Sequence, residues 1–416
     1  MRRLIVVLAA VSVLLAGAIA AVVIYRLHQE GNIRGSSTEE FTLPTTTAKP
    51  PATPLHVSWP QYGFDATRDR AVQLDLKPPF RRIWRYYAGS LVEFPPAIAY
   101  GRLYFSTNAG KVTAVSTKTG KRAWIYRSGR CVAASPAVGT YKHGTVYAVF
   151  LNKPPCNAPA STKGTGKVIA FAAGFGKPRW SKTIGPSESS PLLVGNRLYV
   201  GDWDGRVWAL DARTGKTIWR YRTRGPIKGA AAFAAGRVYV GSYDGHVYCL
   251  GAQKGRLVWK AKAQPRLYGR SRFYSTPALA LGRVYIGSTD GKVYSYGAST
   301  GRLIWSHSTG GYVYSSPAAW NGLVFAGSYS KRFYAFDGAT GDVRWTFAAN
   351  GQISGSPTVV GNVVYFATLK GRTYALRARS GKLLWSFPDG EYSPVVAEKG
   401  RLFLIGAYLV YGMVPR

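Results

Sequence analysis

The chain is poor in the residues that most often carry metal or redox chemistry. Its 416 residues include 3 Cys, 2 Met and 5 His. No two cysteines have the Cys-x-x-Cys spacing of zinc sites and thiol-redox centres, and the histidines are widely scattered. These absences argue against a zinc protein or a thiol oxidoreductase, and we predict no metal site.

Acidic residues are scarce as well. The sequence has 18 Asp and Glu against 55 Lys and Arg, which gives a formal net charge of +37. By contrast, 46% of the residues are hydrophobic, and Gly (48) and Tyr (28) are abundant. This composition favours many short strands joined by tight turns.

A long apolar run lies at the N-terminus, at residues 4–25. It could cross the ~30 Å hydrocarbon core as a helix, and Arg2 and Arg3 predict that its start stays in the cytoplasm. The alternative is a cleaved signal peptide with a site at Ala18-Ile19-Ala20. Because the run continues past that site, we expect residues 1–30 to form a single-pass anchor in the cell membrane.

Residues 31–58 are rich in Thr and Pro and nearly lack bulky apolar side chains. Such a segment buries too little surface to fold, and Pro extends it. We expect a spacer that holds a folded domain, residues 59–416, on the extracytoplasmic side of the membrane.

Tryptophan recurs in this domain, mostly about every 40 residues, which indicates a repeat architecture. Seven of the eight tryptophans follow a glycine by four residues, where a turn residue with positive φ would precede a strand. The eight are Trp84, Trp124, Trp180, Trp219, Trp259, Trp305, Trp345 and Trp385. We expect them to occupy equivalent structural positions.

Other positions repeat in the same phase. Asp-Gly pairs join apolar runs, which is a strong hairpin signal, and a Ser/Thr-Pro step opens most units. Apolar and polar residues do not alternate cleanly along the runs, as expected for sheets covered on both faces by neighbouring sheets. A solenoid is the alternative, but it would need polar capping repeats at both ends, and none is visible.

The two ends of the repeat region complete each other. Strand-like runs at 393–397, 401–405 and 408–413 lack a Trp strand, and the Trp strand at 82–87 has no unit before it. Together they form one blade, which closes a ring and removes exposed sheet edges. The sequence therefore predicts an all-β, eight-bladed β-propeller of four-stranded antiparallel blades.

Two of the repeats resemble a known family. Asp211-Ala-Arg-Thr-Gly215 followed by Trp219, and Asp337-Gly-Ala-Thr-Gly341 followed by Trp345, resemble the quinoprotein (PQQ-like) repeat. The resemblance covers about residues 59–416 and implies an eight-bladed propeller with interlocking tryptophan docking motifs. It implies either a quinone-dependent dehydrogenase or a cofactor-free propeller of the BamB type. The matching positions are structural, so they indicate fold more than function.

Dehydrogenases of this family would need calcium with carboxylate and amide ligands, an Asp base and often a disulfide between adjacent cysteines. The chain has no adjacent cysteines, and its Asp residues mostly occupy turn positions. We predict no catalytic residues, no metal and no cofactor; PQQ with calcium is the alternative. Residues 161–168 lack the first Gly and the Ser/Thr of a phosphate-binding loop and are expected to form a hairpin tip.

Three of the four glutamates beyond residue 58 share one repeat position, three residues before a blade-opening proline. Across the repeats this position is assigned to Glu93, Ala133, Glu188, Ile227, Tyr274, Tyr314, Ser354 and Glu391. The innermost strand of a propeller begins at the mouth of the channel. The glutamates and tyrosines therefore predict a binding site for a cationic group or a metal; the alternative is that polar residues commonly begin strands.

Two cysteines lie near the second blade. Cys131 precedes its first strand, and Cys156 lies in its insertion, residues 152–166. In an oxidising compartment the pair would form a disulfide that fixes this loop, and two free thiols are the alternative. Cys249 lies in an apolar run and is expected to be a buried small side chain.

The net charge beyond residue 58 is +35, from basic residues that we expect around all blades. It could attract anionic lipids or cell-surface polymers, or it could reflect a solvated surface in a basic proteome. Nucleic-acid binding is not expected in an exported domain without a recognition module. We predict a monomeric, membrane-tethered scaffold for envelope proteins or anionic surface polymers. The alternatives are a PQQ-dependent dehydrogenase and an extracellular small-ligand sensor.

Overall fold

The computed structural model describes residues 2–29, 31–42, 56–154, 156, 164–266, 269–393 and 395–416. It begins with a helix, α1 (Arg2–Gln29). In this described part of the chain, no helix is both long and apolar enough to cross a membrane. The transmembrane helix predicted at residues 4–25 is therefore not supported. Side chains of α1 are described for Leu8 and residues 11–24 only.

The apolar runs beyond residue 56 form short strands, as the Gly-rich and Asp-Gly turns between them predict. A 3₁₀ helix at Tyr141–His143 interrupts them. In chain order the strands are β1 Val57–Trp59, β2 Ala71–Val72, β3 Phe80–Tyr87, β4 Ala97–Ala99, β5 Arg102–Ser106, β6 Lys111–Ser116, β7 Arg122–Arg127, β8 Ala137–Gly139, β9 Thr145–Phe150, β10 Gly166–Ala172, β11 Pro178–Ile184, β12 Leu192–Val194, β13 Arg197–Gly201, β14 Arg206–Asp211, β15 Thr217–Arg222, β16 Ala232–Ala234, β17 Arg237–Gly241, β18 His246–Gly251, β19 Leu257–Lys262, β20 Ala278–Ala280, β21 Arg283–Gly287, β22 Lys292–Gly297, β23 Leu303–Ser308, β24 Ala318–Trp320, β25 Leu323–Gly327, β26 Arg332–Asp337, β27 Val343–Ala348, β28 Thr358–Val360, β29 Val363–Thr368, β30 Arg372–Arg377, β31 Leu383–Phe387, β32 Val395–Glu398, β33 Arg401–Ile405 and β34 Leu409–Pro415.

These strands form eight sheets, which are the blades of a propeller. Blades 1 to 7 are the antiparallel runs β4–β7, β8–β11, β12–β15, β16–β19, β20–β23, β24–β27 and β28–β31. Blade 8 pairs β32, β33 and β34 with β3, so the two ends of the repeat region close the ring as predicted. The predicted eight-bladed, all-β propeller is confirmed. Adjacent blades pack through apolar faces; Phe333 of blade 6 stacks on Phe366 of blade 7 with ring centroids 4.1 Å apart.

The repeat tryptophans join each blade to the next. Seven donate from Nε1 to a backbone carbonyl of the following blade at 2.8–3.1 Å: Trp84 to Thr117, Trp124 to Ala173, Trp180 to Ala212, Trp219 to Ala252, Trp259 to Ala298, Trp305 to Gly338 and Trp345 to Ala378. The glycine of the next repeat lies against each of these rings with φ between +67° and +78°. Trp385, the eighth, packs edge-on against Phe80 at 5.5 Å.

A segment before the first complete blade lies in the central channel. This strap, residues 56–76, adds β1 to blade 1 and β2 to blade 7. It accepts hydrogen bonds from backbone N–H groups of blades 1 to 7: Tyr100 to His56, Val138 to Pro60, Leu193 to the Gln61 side chain, Phe233 to Ala66, Leu279 to Thr67, Ala319 to Asp69 and Val359 to Arg70. The strap thus follows the ring of innermost strands and ties seven blades together.

The predicted spacer at residues 31–58 requires correction at both ends. Residues 31–42 lie along blades 5 and 6, where Ile33 exchanges two backbone hydrogen bonds with Ser306 at 3.0 Å and Arg34 pairs with Asp342 at 2.9 Å. Buried Arg283 donates to two carbonyls of this segment. The other end enters the propeller as part of the strap. Residues 43–55, which hold most of the Thr and Pro, lie outside the described residues.

Candidate functional site

One residue per blade surrounds the mouth of the channel, four positions before the innermost strand. From blade 1 to blade 8 this neck ring consists of Glu93, Ala133, Glu188, Lys228, Tyr274, Tyr314, Ser354 and Glu391. In blade 4 the innermost strand begins at Ala232, which makes Lys228 the ring residue. The assignment of Ile227 was wrong, because blade 4 has alanine where most blades have the opening proline that marks the register.

An ion pair joins two neighbouring positions of the neck ring. Lys228 Nζ lies 3.2 Å from Glu188 Oε1, and the Tyr274 hydroxyl donates to Glu188 Oε2 at 3.3 Å. The exposed fractions of the Lys228 and Glu188 side chains are 22% and 12%. Burial raises the pKa of Glu188, and Lys228 and Tyr274 act in the opposite direction. Lys228 also lies 4.3 Å from the centroid of the Trp203 ring, so its charge has a second partner.

Glu93 interacts with this pair through its charge, and Glu391 in turn interacts with Glu93. Burial raises the pKa of Glu93 to about 7, with further contributions from Glu188 and Glu391. Burial also raises the pKa of Glu391. Glu93, Glu188 and Tyr274 line the same cavity; Glu391 lies close enough to affect Glu93 but does not line it. The carboxyl of Glu93 therefore changes its charge near neutral pH.

A row of aromatic rings lines one side of the channel mouth. Ring centroids are 6.3 Å apart for Tyr243 and Tyr274, and 5.0 Å apart for both Tyr274–Tyr314 and Tyr314–Tyr329. Trp203 lies in the same wall. Sequence reasoning missed Trp203 and Tyr243. Each comes directly before the Asp-Gly pair of its hairpin, so an aromatic residue at that position was the available signal.

These side chains line a cavity of about 1300 Å³, which we call the funnel. Exposed Arg224, Arg270 and Arg272 lie on its wall, towards the rim. At its base Tyr62 of the strap lies beside the neck ring and hydrogen-bonds through its hydroxyl to Ser356 Oγ at 2.9 Å. Side chains of the strap fill the channel below: Tyr62 bonds to Ser356 beside blade 7, and Arg68 donates to the carbonyls of Ala231 and Pro191 beside blades 4 and 3. The funnel is therefore a blind pocket with a basic rim and a partly acidic floor.

A disulfide forms part of the funnel wall. Cys131 and Cys156 are bonded, with Cα atoms 5.5 Å apart, and both line the cavity. The bond holds Cys156 of the blade 2 insertion in the funnel wall; residues 155 and 157–163 of this insertion lie outside the described residues. Cys249 is a free thiol buried in β18, as the apolar run around it predicted.

Calcium-bound PQQ, which the fold family implies, does not fit these residues. Calcium takes six to eight oxygen ligands. Among the described residues, no group of three or more His, Cys, Asp or Glu could hold a metal ion. Both oxygens of Glu188 already have partners, and the Lys228 ammonium would repel a cation. No catalytic step is assigned here, and binding of a cationic group at the neck ring stays a prediction.

Comparisons with known proteins agree with the propeller. A quinohemoprotein alcohol dehydrogenase from Comamonas testosteroni is 30% identical over 172 residues, 40% of this chain and 18% of that protein. Outer membrane protein assembly factor BamB from Burkholderia pseudomallei is 30% identical over 166 residues, 38% of this chain and 39% of that protein. The chain thus spans less than half the length of these relatives.

A solved structure matches a larger part of the fold. The crystal structure of BamB from Moraxella catarrhalis superposes with a TM-score of 0.63 at 20% identity, covering 81% of this chain and 98% of that one. A family model described as outer membrane protein assembly factor BamB matches residues 79–188, 164–316 and 309–410. Because these matches cover nearly the whole propeller, the chain belongs to this BamB-like family of PQQ-repeat propellers.

Proposed function

We propose that this chain is a binding scaffold that docks a segment of an envelope protein in its funnel. The observation that supports this proposal is the form of the funnel: it is open at the rim, closed at its floor by the strap, and lined by rings and charges. A blind pocket of this kind receives a protruding loop or chain end and does not let it pass through.

The size of the funnel favours a protein segment over a small ligand. Small-molecule sites usually measure about 300–1000 Å³, and the funnel measures about 1300 Å³. Its wall also offers Trp203 and Tyr243, residue types that frequently act as anchors in protein interfaces.

The charges of the funnel define the segment that would fit. Basic Arg224, Arg270 and Arg272 line the rim, and Glu93 and Glu188 lie at the floor. A segment with a hydrogen-bond-donating tip and acidic flanks complements this arrangement. Opposite charges at corresponding positions guide a partner into one register.

The disulfide supports a location outside the cytoplasm. Disulfides form and persist in oxidising compartments, and the Cys131–Cys156 bond holds the wall of the proposed docking site. We therefore propose that the partner is met in the cell envelope.

Affinity capture from solubilised envelopes tests the proposal. The full-length chain would be compared with a Trp203→Ala/Tyr243→Ala variant and with Leu383→Ala, a change of an exposed residue on β31 outside the funnel. We expect a discrete protein to be captured by the wild type and by Leu383→Ala, and lost with the funnel variant. The same captured proteins in the same amounts on all three would contradict the proposal.

A further inference from the structure

The acidic residues are missing from one side of the propeller. No Asp or Glu occurs between Glu93 and Glu188, although this stretch contains fourteen Lys and Arg. It supplies blades 1 and 2 except for β1. The expectation that basic charge surrounds all blades was therefore incomplete: Lys and Arg do occur in every blade, but two adjacent blades lack the carboxylates that would neutralise them.

Four consecutive blades carry exposed basic residues on their outermost strands or in the turns that lead into them, and we call this surface the basic wall. It consists of the outer faces of β3, β7, β11 and β15, in blades 8, 1, 2 and 3. Its exposed basic residues are Arg81, Arg82 and Arg85 of β3, Arg122 and Arg127 of β7, Lys177 in the turn before β11, and Arg220 and Arg222 of β15. None of them forms an ion pair in the described part of the chain. The wall therefore carries unneutralised charge.

On the other side of the wall, β19 of blade 4 also carries exposed basic residues, Lys260 and Lys262, without an ion pair in the described part of the chain, but blades 5 and 6 differ. The edge of blade 5 is covered by residues 31–42, and Glu39 of this segment pairs with Arg302. On blade 6, Arg344 pairs with Asp337 at 2.6 Å. Charged side chains also keep sheet edges from pairing with other chains. That role does not account for the wall, because acidic residues would serve it equally well and blade 7 has no charge on β31.

Two exposed aromatic rings lie on the strands and turns of the wall. Tyr87 at the end of β3 is 68% exposed, and Phe175 in the turn between β10 and β11 is 85% exposed. Flat aromatic faces stack on the apolar faces of sugar rings, and guanidinium groups pair with carboxylates and phosphates. The two features together fit a ligand that carries both sugar rings and negative charge.

The curvature of the wall favours a flexible polymer over a lipid bilayer as its ligand. Adjacent blades of an eight-bladed ring are rotated by about 45°, so four consecutive blades cover roughly half the circumference. A flat lipid surface could touch only one or two of them at once. A flexible chain could follow all four.

We propose that the basic wall binds a flexible anionic polysaccharide, whose acidic groups pair with the arginines and whose sugar rings stack on Phe175 and Tyr87. This site is separate from the funnel and does not depend on the docking function proposed above. It would attach the scaffold to an envelope polymer and leave the funnel free for its partner.

A charge-matched pair of variants tests the proposal. Two triple variants of the full-length chain would be titrated with fluorescent polygalacturonate. The wall variant is Arg85→Gln/Arg122→Gln/Arg127→Gln, and the control is Arg332→Gln/Lys370→Gln/Lys382→Gln. Both triple variants lose three exposed positive charges, but the second set lies in blades 6 and 7. We expect affinity to fall about tenfold in the wall variant, from three weak ion pairs, and to change less than twofold in the control.

Equal losses in the two triple variants would mean that net charge alone attracts the polymer, and would overturn the proposal. So would tighter binding of phosphatidylglycerol vesicles or of single-stranded DNA than of polygalacturonate. Phe175→Ala should weaken binding of polygalacturonate and leave binding of poly-glutamate, which has no sugar rings, unchanged. Equal effects on both probes would contradict the stacking role.

Docking in the funnel and binding at the basic wall can be tested separately. The wall variant should still capture the funnel's partner from solubilised envelopes, and the Trp203→Ala/Tyr243→Ala variant should still bind polygalacturonate. Unchanged thermal unfolding of each variant would show that lost binding does not come from lost folding.

Discussion

Lys228 of blade 4 contacts Glu188 of blade 3 across the boundary between the two blades, with Nζ 3.2 Å from Oε1. Lys228 lies at the same time over the ring of Trp203, 4.3 Å from its centroid. The pair therefore joins the charged floor of the funnel to its aromatic wall. Removing either partner leaves the other charge partly buried and without its opposite charge.

A double-mutant cycle on this pair measures its contribution. Glu188→Gln and Lys228→Met should each lower the free energy of unfolding by about 1–3 kcal/mol, since each leaves a desolvated group without its partner. The double variant should lose less than the sum of the two, as measured by urea unfolding of all four proteins. Losses that add within about 0.5 kcal/mol would show that the two side chains do not interact.

Glu93 should make stability depend on pH. Its pKa is raised to about 7 in the folded chain, against about 4.3 in an unfolded one. Between these values the folded state binds more protons, so the free energy of unfolding falls as pH rises through this window. Glu93→Gln should remove this part of the fall, about 3 kcal/mol between pH 4.5 and 8.

Urea unfolding of wild type and Glu93→Gln at both pH values checks this expectation. Asp75→Asn, a change at a side chain that is 84% exposed, serves as the control. Its free energy of unfolding should change with pH as that of the wild type does. Parallel behaviour of Glu93→Gln and the wild type would mean that Glu93 is not desolvated in the folded chain.

Substitutions at two glycines distinguish the contribution of the tryptophan contact to stability from that of backbone strain. Gly255 and Gly236 have φ of +67° and +72°, but an added Cβ meets the Trp219 ring at 2.5 Å in the first case and open space in the second. Gly236→Ala should cost about 1 kcal/mol for its left-handed backbone. Gly255→Ala should cost about 1–3 kcal/mol more, because the ring must move. If the two substitutions lower the free energy of unfolding equally, contact between Gly255 and the Trp219 ring does not contribute to stability.

The strap should contribute to the stability of the whole ring. Arg68 is fully buried and donates to the carbonyls of Ala231 and Pro191, on blades 4 and 3, as well as to Tyr62 of the strap. Arg68→Met should lower the free energy of unfolding by about 3 kcal/mol or more, since it leaves three buried acceptors without donors. Arg34→Met, at an exposed ion pair, is the comparison. A loss no larger than in that variant would show that the strap is not required for stability.

The ring itself could be predicted from the sequence because its signals are local and repeated. Gly255 and Trp259 lie four residues apart in one turn and strand, and the same spacing recurs in seven repeats. The pairing of β3 with β34 followed from counting strands at the two ends. Such patterns need no knowledge of distant contacts.

The strap and the exact neck ring could not be predicted in the same way. Residues 56–76 have no repeat period, and Arg68 and Arg70 would ordinarily be placed on the surface, although both are buried in the channel. Lys228 was missed because blade 4 has no proline to set the register. The convergence of Glu93 and Glu188 was expected, but the pairing of Glu188 with Lys228 depends on a contact between blades.

The most direct test of the docking proposal is photocrosslinking in living cells. A photoreactive residue would replace Tyr392, which lines the funnel, and in a second strain Leu383, which is exposed on β31. We predict one discrete crosslinked protein from Tyr392 that is absent from Leu383, and its loss when Trp203→Ala/Tyr243→Ala is added. The same crosslinked species from both positions, or none that depends on the funnel residues, would contradict a funnel that docks a partner.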